Sequence, residues 1–228
     1  MRIRKTIVAS ALAMMAMTGM AQTHYEANIS VGGKAGVSLS QTFFSPTVPQ
    51  GMKVGAIAGA AFRYIEEKNF GLIMELNFEQ RGWTENFEDA PYNYSRTINY
   101  LQLPILTHVY FGSDKAKFFL NLGPEIGLRL GESTSANFDV NNYQSLPDFP
   151  IRNRTTTQYA IPADQLLDYG ISAGIGAELM LNRRHSVTFE GRFYYGLGNQ
   201  LKSGRTEAFN ASNSMSIMLS LGYWFRVK

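Results

Sequence analysis

The sequence predicts an all-β protein, an eight-stranded antiparallel up-and-down barrel that spans a membrane after a cleaved signal peptide. Three observations predict it. Long segments alternate apolar and polar side chains with a period of two, as strands do. Short and long connections alternate between these segments. Beyond the amino terminus, no run approaches the roughly 20 apolar residues of a transmembrane helix, so any membrane crossing would be made by strands.

The clearest element is a hairpin over residues 97–131, with a polar turn at 112–116. In its second strand one face is apolar, whereas the other carries Glu125 and Arg129. Both strands exceed the usual five or six residues. An apolar outer face opposite a charged inner face is typical of a barrel with lipid outside and a polar lumen inside. The apolar face of the second strand consists of Phe118, Leu120, Leu122, Ile126, Leu128 and Leu130.

Six further segments show the same alternation. They are predicted as strands over 28–40, 52–64, 70–82, 165–182, 185–197 and 214–227. The connections after the second, fourth and sixth strands are short, and those after the other strands are long and polar. Membrane barrels have short periplasmic turns and long outer loops, and an even strand number returns both chain ends to the periplasm. Aromatic side chains near the short turns indicate an interfacial girdle: Tyr64, Phe70, Phe111, Phe118, Phe189 and Phe225.

The amino terminus has the pattern of a signal peptide over residues 1–21. A basic start is followed by an apolar run over 6–17, and Gly19 and Ala21 are small residues at the −3 and −1 positions. The expected barrel domain is therefore 22–228. The alternative interpretation of residues 1–21 is a short buried helix. Cleavage removes three of the 21 basic residues and leaves 18 against 18 acidic residues. A neutral mature chain is not expected to bind nucleic acid.

Charged side chains of both signs are predicted to face the lumen. An eight-stranded barrel is just wide enough for side chains to fill, so these charges should pair, Glu125 and Arg129 among them. A proton or ion path, or a small-ligand site, is the alternative. The predicted network consists of Lys34, Lys53, Arg63, Glu75, Glu79, Arg81, Glu125, Arg129, Asp168, Glu178, Glu190 and Arg192.

The longest predicted connection, 132–164, has more apolar residues than a solvated linker favours. We expect part of it to order over the barrel mouth and to supply the main partner surface; a mobile loop without a role is the alternative. Its arginines suit carboxylates or lipid phosphates. The candidate residues are Phe138, Tyr143, Phe149, Arg152, Arg154 and Tyr159.

Catalysis has little support in the sequence. His24, His108 and His185 are scattered without metal-ligand spacing, and there is no G-x-S-x-G motif. Cysteine is absent. We therefore expect no enzyme activity, no metal and no cofactor.

Several short motifs occur in order along the mature chain: ELNFEQRG at 75–82, YLQLPI at 100–105, NLGP at 121–124, DYG at 168–170 and LGYWF at 221–225. With these motifs the sequence resembles the PorT-type outer-membrane β-barrel proteins of Bacteroidetes. The resemblance implies an eight-stranded barrel in the cell outer membrane. The expected partners are outer-membrane lipid, the barrel-assembly machinery, and an envelope or secretion protein.

Three functions stay open at this point. The first is a structural or interaction scaffold that presents loops. The second is a soluble lipocalin-like binder with its apolar face turned inward, which the many Gly, Ser and Asn residues of the polar face disfavour. The third is a narrow channel or transport component, which the small strand number disfavours, because wide pores need about sixteen strands.

Overall fold

The computed structural model describes residues 27–85, 87, 90–150, 154–203 and 206–228. The expected signal peptide, 1–21, lies outside the described residues. Eight strands account for most of the described chain. Their bounds are β1 Asn28–Ser45, β2 Gln50–Glu67, β3 Phe70–Glu85, β4 Tyr94–Gly112, β5 Ala116–Ala136, β6 Leu167–Met180, β7 His185–Asn199 and β8 Ala211–Arg226.

Each strand pairs antiparallel with the next one along the chain, and β8 returns to β1 to close the barrel. The closing register runs from the pair Ser30–Arg226 to the pair Ser45–Ala211. A closed barrel leaves no unpaired strand edge. The predicted fold class is therefore confirmed. No helix in the described part of the chain is long and apolar enough to cross a membrane.

The two ends of the barrel differ in their connections. We call one the short-turn end, formed by 68–69, 113–115 and 181–184, and the other the long-loop end, formed by 46–49, 86–93, 137–166 and 200–210. The predicted alternation of short and long connections is wrong at 46–49, which is itself short. Both flanking strands continue further than expected, and they use up the residues that the sequence assigned to a loop.

The two faces of the wall have opposite polarity over most of its height. On the outer face Val54, Ile175 and Leu221 are 66%, 67% and 61% exposed. On the inner face Glu79 and Arg81 are 0% and 1% exposed. The lipocalin-like alternative required apolar residues inside, so this arrangement rules it out.

The polarity reverses where β3, β4 and β5 continue past the predicted strand ends. There Trp83, Tyr94 and Ile98 are fully buried inside the barrel, while Thr97 and Ser133 lie opposite each other on the outer face. A register shift at Asn99/Tyr100 marks the start of this part of the β4–β5 pair. The long-loop end therefore has its own apolar core, like a soluble barrel.

Gly82 shows how closely β3 and β4 approach in this extension. Its φ is +149°, and a Cβ atom there would lie 1.9 Å from the carbonyl oxygen of Arg96. Only glycine fits such a close approach. Its backbone N–H donates to the hydroxyl of Ser40 at 2.9 Å, which joins the extension to β1 past the intervening β2.

Candidate functional site: a charge-filled lumen beneath an apolar cap

The lumen contains three layers of paired charges. The lowest layer, nearest the short-turn end, joins Arg63 on β2 to Glu178 on β6. The guanidinium donates two hydrogen bonds to the carboxylate, at 2.9 and 2.8 Å. The planar guanidinium matches a carboxylate in this bidentate geometry. The same group lies 4.5 Å from the ring centre of Trp224, which covers it from the β8 side.

The middle layer is a four-membered network. Glu75 accepts from Arg192 at 2.7 and 2.8 Å and from Lys34 at 2.6 Å. Arg192 also donates to Glu190, at 2.8 Å. Two cations meet two carboxylates, so the layer is neutral, and it links β1, β3 and β7 across the lumen.

A neutral hydrogen-bond chain extends this middle layer toward β4. Glu190 accepts from the amide of Asn121 at 2.7 Å, and the carbonyl of that amide lies 2.7 Å from Nδ1 of His108. His108 is buried, 1% exposed, and has no ion-pair partner in the described structure. Its ring packs against those of Tyr110 and Phe119, with ring centres 5.4 and 5.3 Å away.

The upper layer centres on Arg81, whose guanidinium meets three carboxylates. The distances are 2.9 Å to Glu79, 2.6 Å to Glu125 and 3.0 Å to Asp168. The ring of Tyr194 lies 3.8 Å from the guanidinium carbon. One cation thus holds three acidic groups from β3, β5 and β6 together.

The structure differs from the sequence-based expectation at two of the twelve lumen charges. The expected pair of Glu125 with Arg129 is absent; Glu125 pairs with Arg81 instead, because both lie at the same level of the lumen. Arg129 makes no ion pair with any described residue, and Lys53 donates to the hydroxyl of Ser95 at 3.0 Å. Both cations lie near the long-loop end, above the carboxylates.

A void between the lowest and the middle layers has a volume of about 20 Å³, and its lining includes Lys34, Arg63, Glu75 and His108. About one water molecule fits such a space. Burial of unpaired ions costs several kcal/mol each, so the close pairing explains how so many charges are tolerated in a filled barrel.

Above the charge layers, an apolar cap closes the long-loop end. Its core combines side chains of the strand extensions with side chains of 137–166, which contains short 3-10 turns at Tyr143–Ser145 and Thr157–Tyr159. Phe149 and Tyr159 each remain 8% exposed. The buried members are Phe44, Val48, Trp83, Phe87, Tyr94, Ile98, Tyr100, Phe149, Tyr159, Ala163, Leu201 and Phe209.

One carboxylate latches the long connection to the barrel. Glu85, at the end of β3, accepts from Arg154 at 2.9 Å, from Gln158 at 2.8 Å and from the hydroxyl of Tyr159 at 2.7 Å. Arg154 also stacks over Phe87 at 3.7 Å. Burial, and then the Glu85 carboxylate, raise the pKa of the Tyr159 hydroxyl, so that it stays protonated and donates.

The proposed partner residues therefore lie in the cap mainly as packing groups. Phe138 and Tyr143 are half-buried against Phe149, with ring centres 5.3 and 5.4 Å away. Arg152 lies outside the described residues. The residues that the sequence analysis missed are Trp83, Glu85 and Arg96. They lie in parts of β3 and β4 beyond the predicted strands, where the outward residues are no longer apolar.

Metal ions require several ligating side chains in a defined arrangement. In the described part of the chain, no group of three or more His, Cys, Asp and Glu residues has a geometry that could hold a metal ion. His185 lies at the short-turn end and contacts the hydroxyl of Tyr223. His24 lies outside the described residues.

Comparison with known structures gives barrels of the same kind. The chain is similar to the outer membrane protein OprG from Pseudomonas aeruginosa, with 12% identity and a TM-score of 0.50 over 88% of this chain and 95% of that one. Neisserial surface protein A gives 10% identity and a TM-score of 0.48 over 87% and 98%. The outer membrane enzyme PagL gives 11% and 0.41 over 85% and 97%. At such identities the likeness concerns the fold alone.

Sequence comparison identifies the family. No curated protein matches the sequence. Residues 20–202, most of the chain, match the family described as outer membrane protein beta-barrel domain. That match agrees with the closed eight-stranded barrel and its apolar outer face. The chain therefore belongs to the outer membrane β-barrel family, and its location is the outer membrane.

Proposed function

We propose that this protein is a non-conducting, non-enzymatic barrel that anchors a rigid binding surface, the outer face of the cap, for an envelope or secretion protein. The observation that carries the proposal is the double closure of the barrel. Paired charges fill the lumen, and the apolar cap covers its mouth. A barrel closed in this way offers its outer surfaces to other molecules rather than a passage.

The construction of the cap supports a binding role. The cap is held by three donors on Glu85 and by a dozen buried side chains beneath it. A connection that only joins two strands does not require this degree of order. Ordering in advance lowers the entropic cost of binding, because fewer side chains lose freedom on contact. The exposed top of the cap is polar and includes Asn141, Asn142, Gln144 and Asp148. These groups suit a partner that presents hydrogen-bonding side chains.

The resemblance to PorT-type proteins is the reason to include secretion among the envelope roles. That kinship is part of the proposal, as is insertion by the barrel-assembly machinery. The signal peptide belongs to it as well, and mass spectrometry of the mature amino terminus tests cleavage after Ala21.

Replacement of 137–166 by a short Gly/Ser turn tests the main proposal. The strands carry the fold, so the variant should still insert and should still migrate faster before boiling than after it in SDS. It should also show the cellular phenotype of a strain that lacks the protein. A loopless variant that restores full function would place the activity elsewhere.

A second variant separates the cap surface from the cap core. Asn141→Lys together with Gln144→Lys changes two exposed side chains that lie outside the buried cluster. The latch should stay closed, as judged by resistance of 137–166 to protease, while cross-linking to the partner in cells should fall. Unchanged cross-linking would contradict the assignment of this surface.

A narrow cation path is the second candidate function, and the layer around Arg81 favours it. Three carboxylates there face one guanidinium. Single-channel recording in planar bilayers distinguishes the two functions. Cation currents that fall with Glu79→Gln support the path, and a silent barrel supports the scaffold.

A further inference from the structure

The outer wall formed by β5 to β8 combines a basic rim with an apolar groove. We call the rim the basic arc; it lies at the short-turn end and consists of the exposed Lys115, Arg183, Arg184 and Lys228. Backbone contacts hold its parts together. The carbonyl of Lys115 accepts from Met180 at 2.9 Å, and the carbonyl of Arg184 accepts from Arg226 at 2.7 Å. The arc thus follows the rim continuously from the β4–β5 turn to the end of β8.

The side chains of the basic arc are available to a ligand. Lys115, Arg183 and Arg184 are exposed, and none of the arc's cations forms an ion pair within the described chain. Acidic neighbours are few on this side, where Asp114 is the nearest in sequence. Glu66 and Glu67 lie on the other side of the rim, at the end of β2. An unpaired row of cations at a membrane surface attracts anionic headgroups.

The apolar groove lies on the same strands. We call it the wall groove, and its volume is about 590 Å³. It forms because Ala173 and Gly191 are small while their outward neighbours are large. Those neighbours are Leu120, Leu122, Ile175, Phe193 and Ile217.

The distance between the two features lies within one lipid leaflet. The register puts Ala116, Leu179, Val187 and Tyr223 side by side just below the basic arc, and Leu120, Ile175, Gly191 and Leu219 side by side at the groove. Four residues separate the two rows on every strand, which is about 13 Å of strand. Strands of a membrane barrel tilt by about 35–45°, so this length covers about 10 Å of depth, and the groove begins inside the periplasmic half of an apolar band about 25 Å tall.

We propose that this wall binds one anionic phospholipid of the periplasmic leaflet, with the phosphate on the basic arc and an acyl chain in the wall groove. The charge of the arc selects the headgroup, and the small side chains of Ala173 and Gly191 admit the chain. A protein in the periplasm could meet the arc, but the groove lies at acyl-chain depth, which favours a lipid. This inference is independent of the role proposed for the cap.

Native mass spectrometry of the mature barrel tests the proposal. The protein is released from micelles that contain equal amounts of phosphatidylglycerol and phosphatidylcholine, and the lipids that stay bound are counted. Wild type should retain phosphatidylglycerol preferentially. Arg183→Gln with Arg184→Gln should lower that retention by about fivefold for each charge removed. Lys202→Gln, at the long-loop end, is the matched charge control and should change nothing.

A groove-filling variant tests the acyl-chain half. A Cβ atom at Gly191 would lie 3.6 Å from Leu219, an ordinary contact, so Gly191→Leu should fill the groove without straining the wall. Retention of both lipids should fall, while the preference for phosphatidylglycerol remains. Gly33→Leu, on the outer face of β1, is the control, because its Cβ would also meet only an ordinary contact, at 3.5 Å.

All variants are first checked for faster migration in SDS before boiling, so that a folding defect is not mistaken for lost binding. Equal retention of the two lipids by wild type would overturn the proposal. Undiminished phosphatidylglycerol on the double arginine variant would overturn it too. Cross-linking in cells gives the competing outcome. If wild type captures an acidic protein that the double arginine variant does not, while lipid retention is the same for both, the basic arc is a protein docking surface and the lipid proposal fails.

Discussion

The membrane-embedded wall and the extension at the long-loop end are built from the same strands but follow opposite rules. In the embedded part, β3 points Glu75, Glu79 and Arg81 inward, with apolar side chains outside. A few residues later β3 buries Trp83 inside, and on β4 Thr97 faces outward beside the buried Ile98. The backbone pairing continues through both parts. What changes is the solvent outside the wall.

The difference shows which forces hold each part. In lipid, apolar side chains gain nothing by turning inward, so the interior can be polar if every charge is paired. In water, the extension must bury apolar surface to be stable. The embedded part therefore depends on ion-pair geometry, and the cap depends on packing around one latch.

The role of ion pairs in the embedded part is tested most strongly at Arg81, where the largest effect is expected. Arg81→Met leaves Glu79, Glu125 and Asp168 facing one another without a cation, at a cost of about 3–5 kcal/mol in the free energy of unfolding. Arg129→Met is the matched control, because that arginine has no ion pair with any described residue, and should cost about 1 kcal/mol or less. Urea unfolding in lipid vesicles measures both. Equal losses would mean that the pairing does not stabilise the lumen.

An arginine introduced at two outward positions of β5 compares lipid and water as the solvent outside the wall. Ile126→Arg puts a cation in the middle of the outer apolar face of β5, where it should cost about 2–4 kcal/mol. Ser133→Arg puts it on the outer face of the extension, where the change should stay within about 0.5 kcal/mol. Unfolding in vesicles again gives both values. A large loss at Ser133 would place that position in lipid and move the boundary upward.

This boundary also explains how much the sequence could predict. Strand number, order and the direction of each face followed from alternation, because lipid outside keeps the period-two pattern strong. The strand ends did not. After Arg81, the outward residues Gly82 and Thr84 are no longer apolar, so the pattern used to find β3 stops although the strand continues to Glu85. Strands that leave the membrane lose the signal that identifies them.

The partners of the lumen charges were beyond sequence reasoning for a different reason. Alternation says that Glu125 points inward, but its partner depends on the stagger between strands that are not adjacent. Arg81 is 44 residues away from it in the chain. The latch at Glu85 was missed together with the end of β3.

The next largest effect is expected at the latch. Glu85→Ala removes the acceptor shared by Arg154, Gln158 and Tyr159, and buried donors left without partners cost about 1–3 kcal/mol. The loss should be local, because the charge layers below do not involve Glu85. Hydrogen exchange of 137–166 should accelerate, while that of the embedded strands stays unchanged. Glu207→Ala, at the exposed pair with Lys202, is the control and should leave both unchanged.

The smallest effect concerns the pH dependence of the cap. Burial, and then the Glu85 carboxylate, raise the pKa of the Tyr159 hydroxyl above its ordinary value of about 10. In an opened cap the hydroxyl titrates near its ordinary pKa. The stability that this hydroxyl adds to the closed cap is therefore complete below about pH 10 and falls as the pH rises toward the raised pKa. Hydrogen exchange of 137–166, followed from about pH 9 to about pH 11, should show the cap opening at the upper end. Tyr159→Phe loses one hydrogen bond, about 1 kcal/mol, at every pH, and should open with a weaker pH dependence than wild type. Parallel pH profiles for the two proteins would assign the opening to other tyrosines and remove Tyr159 from the latch.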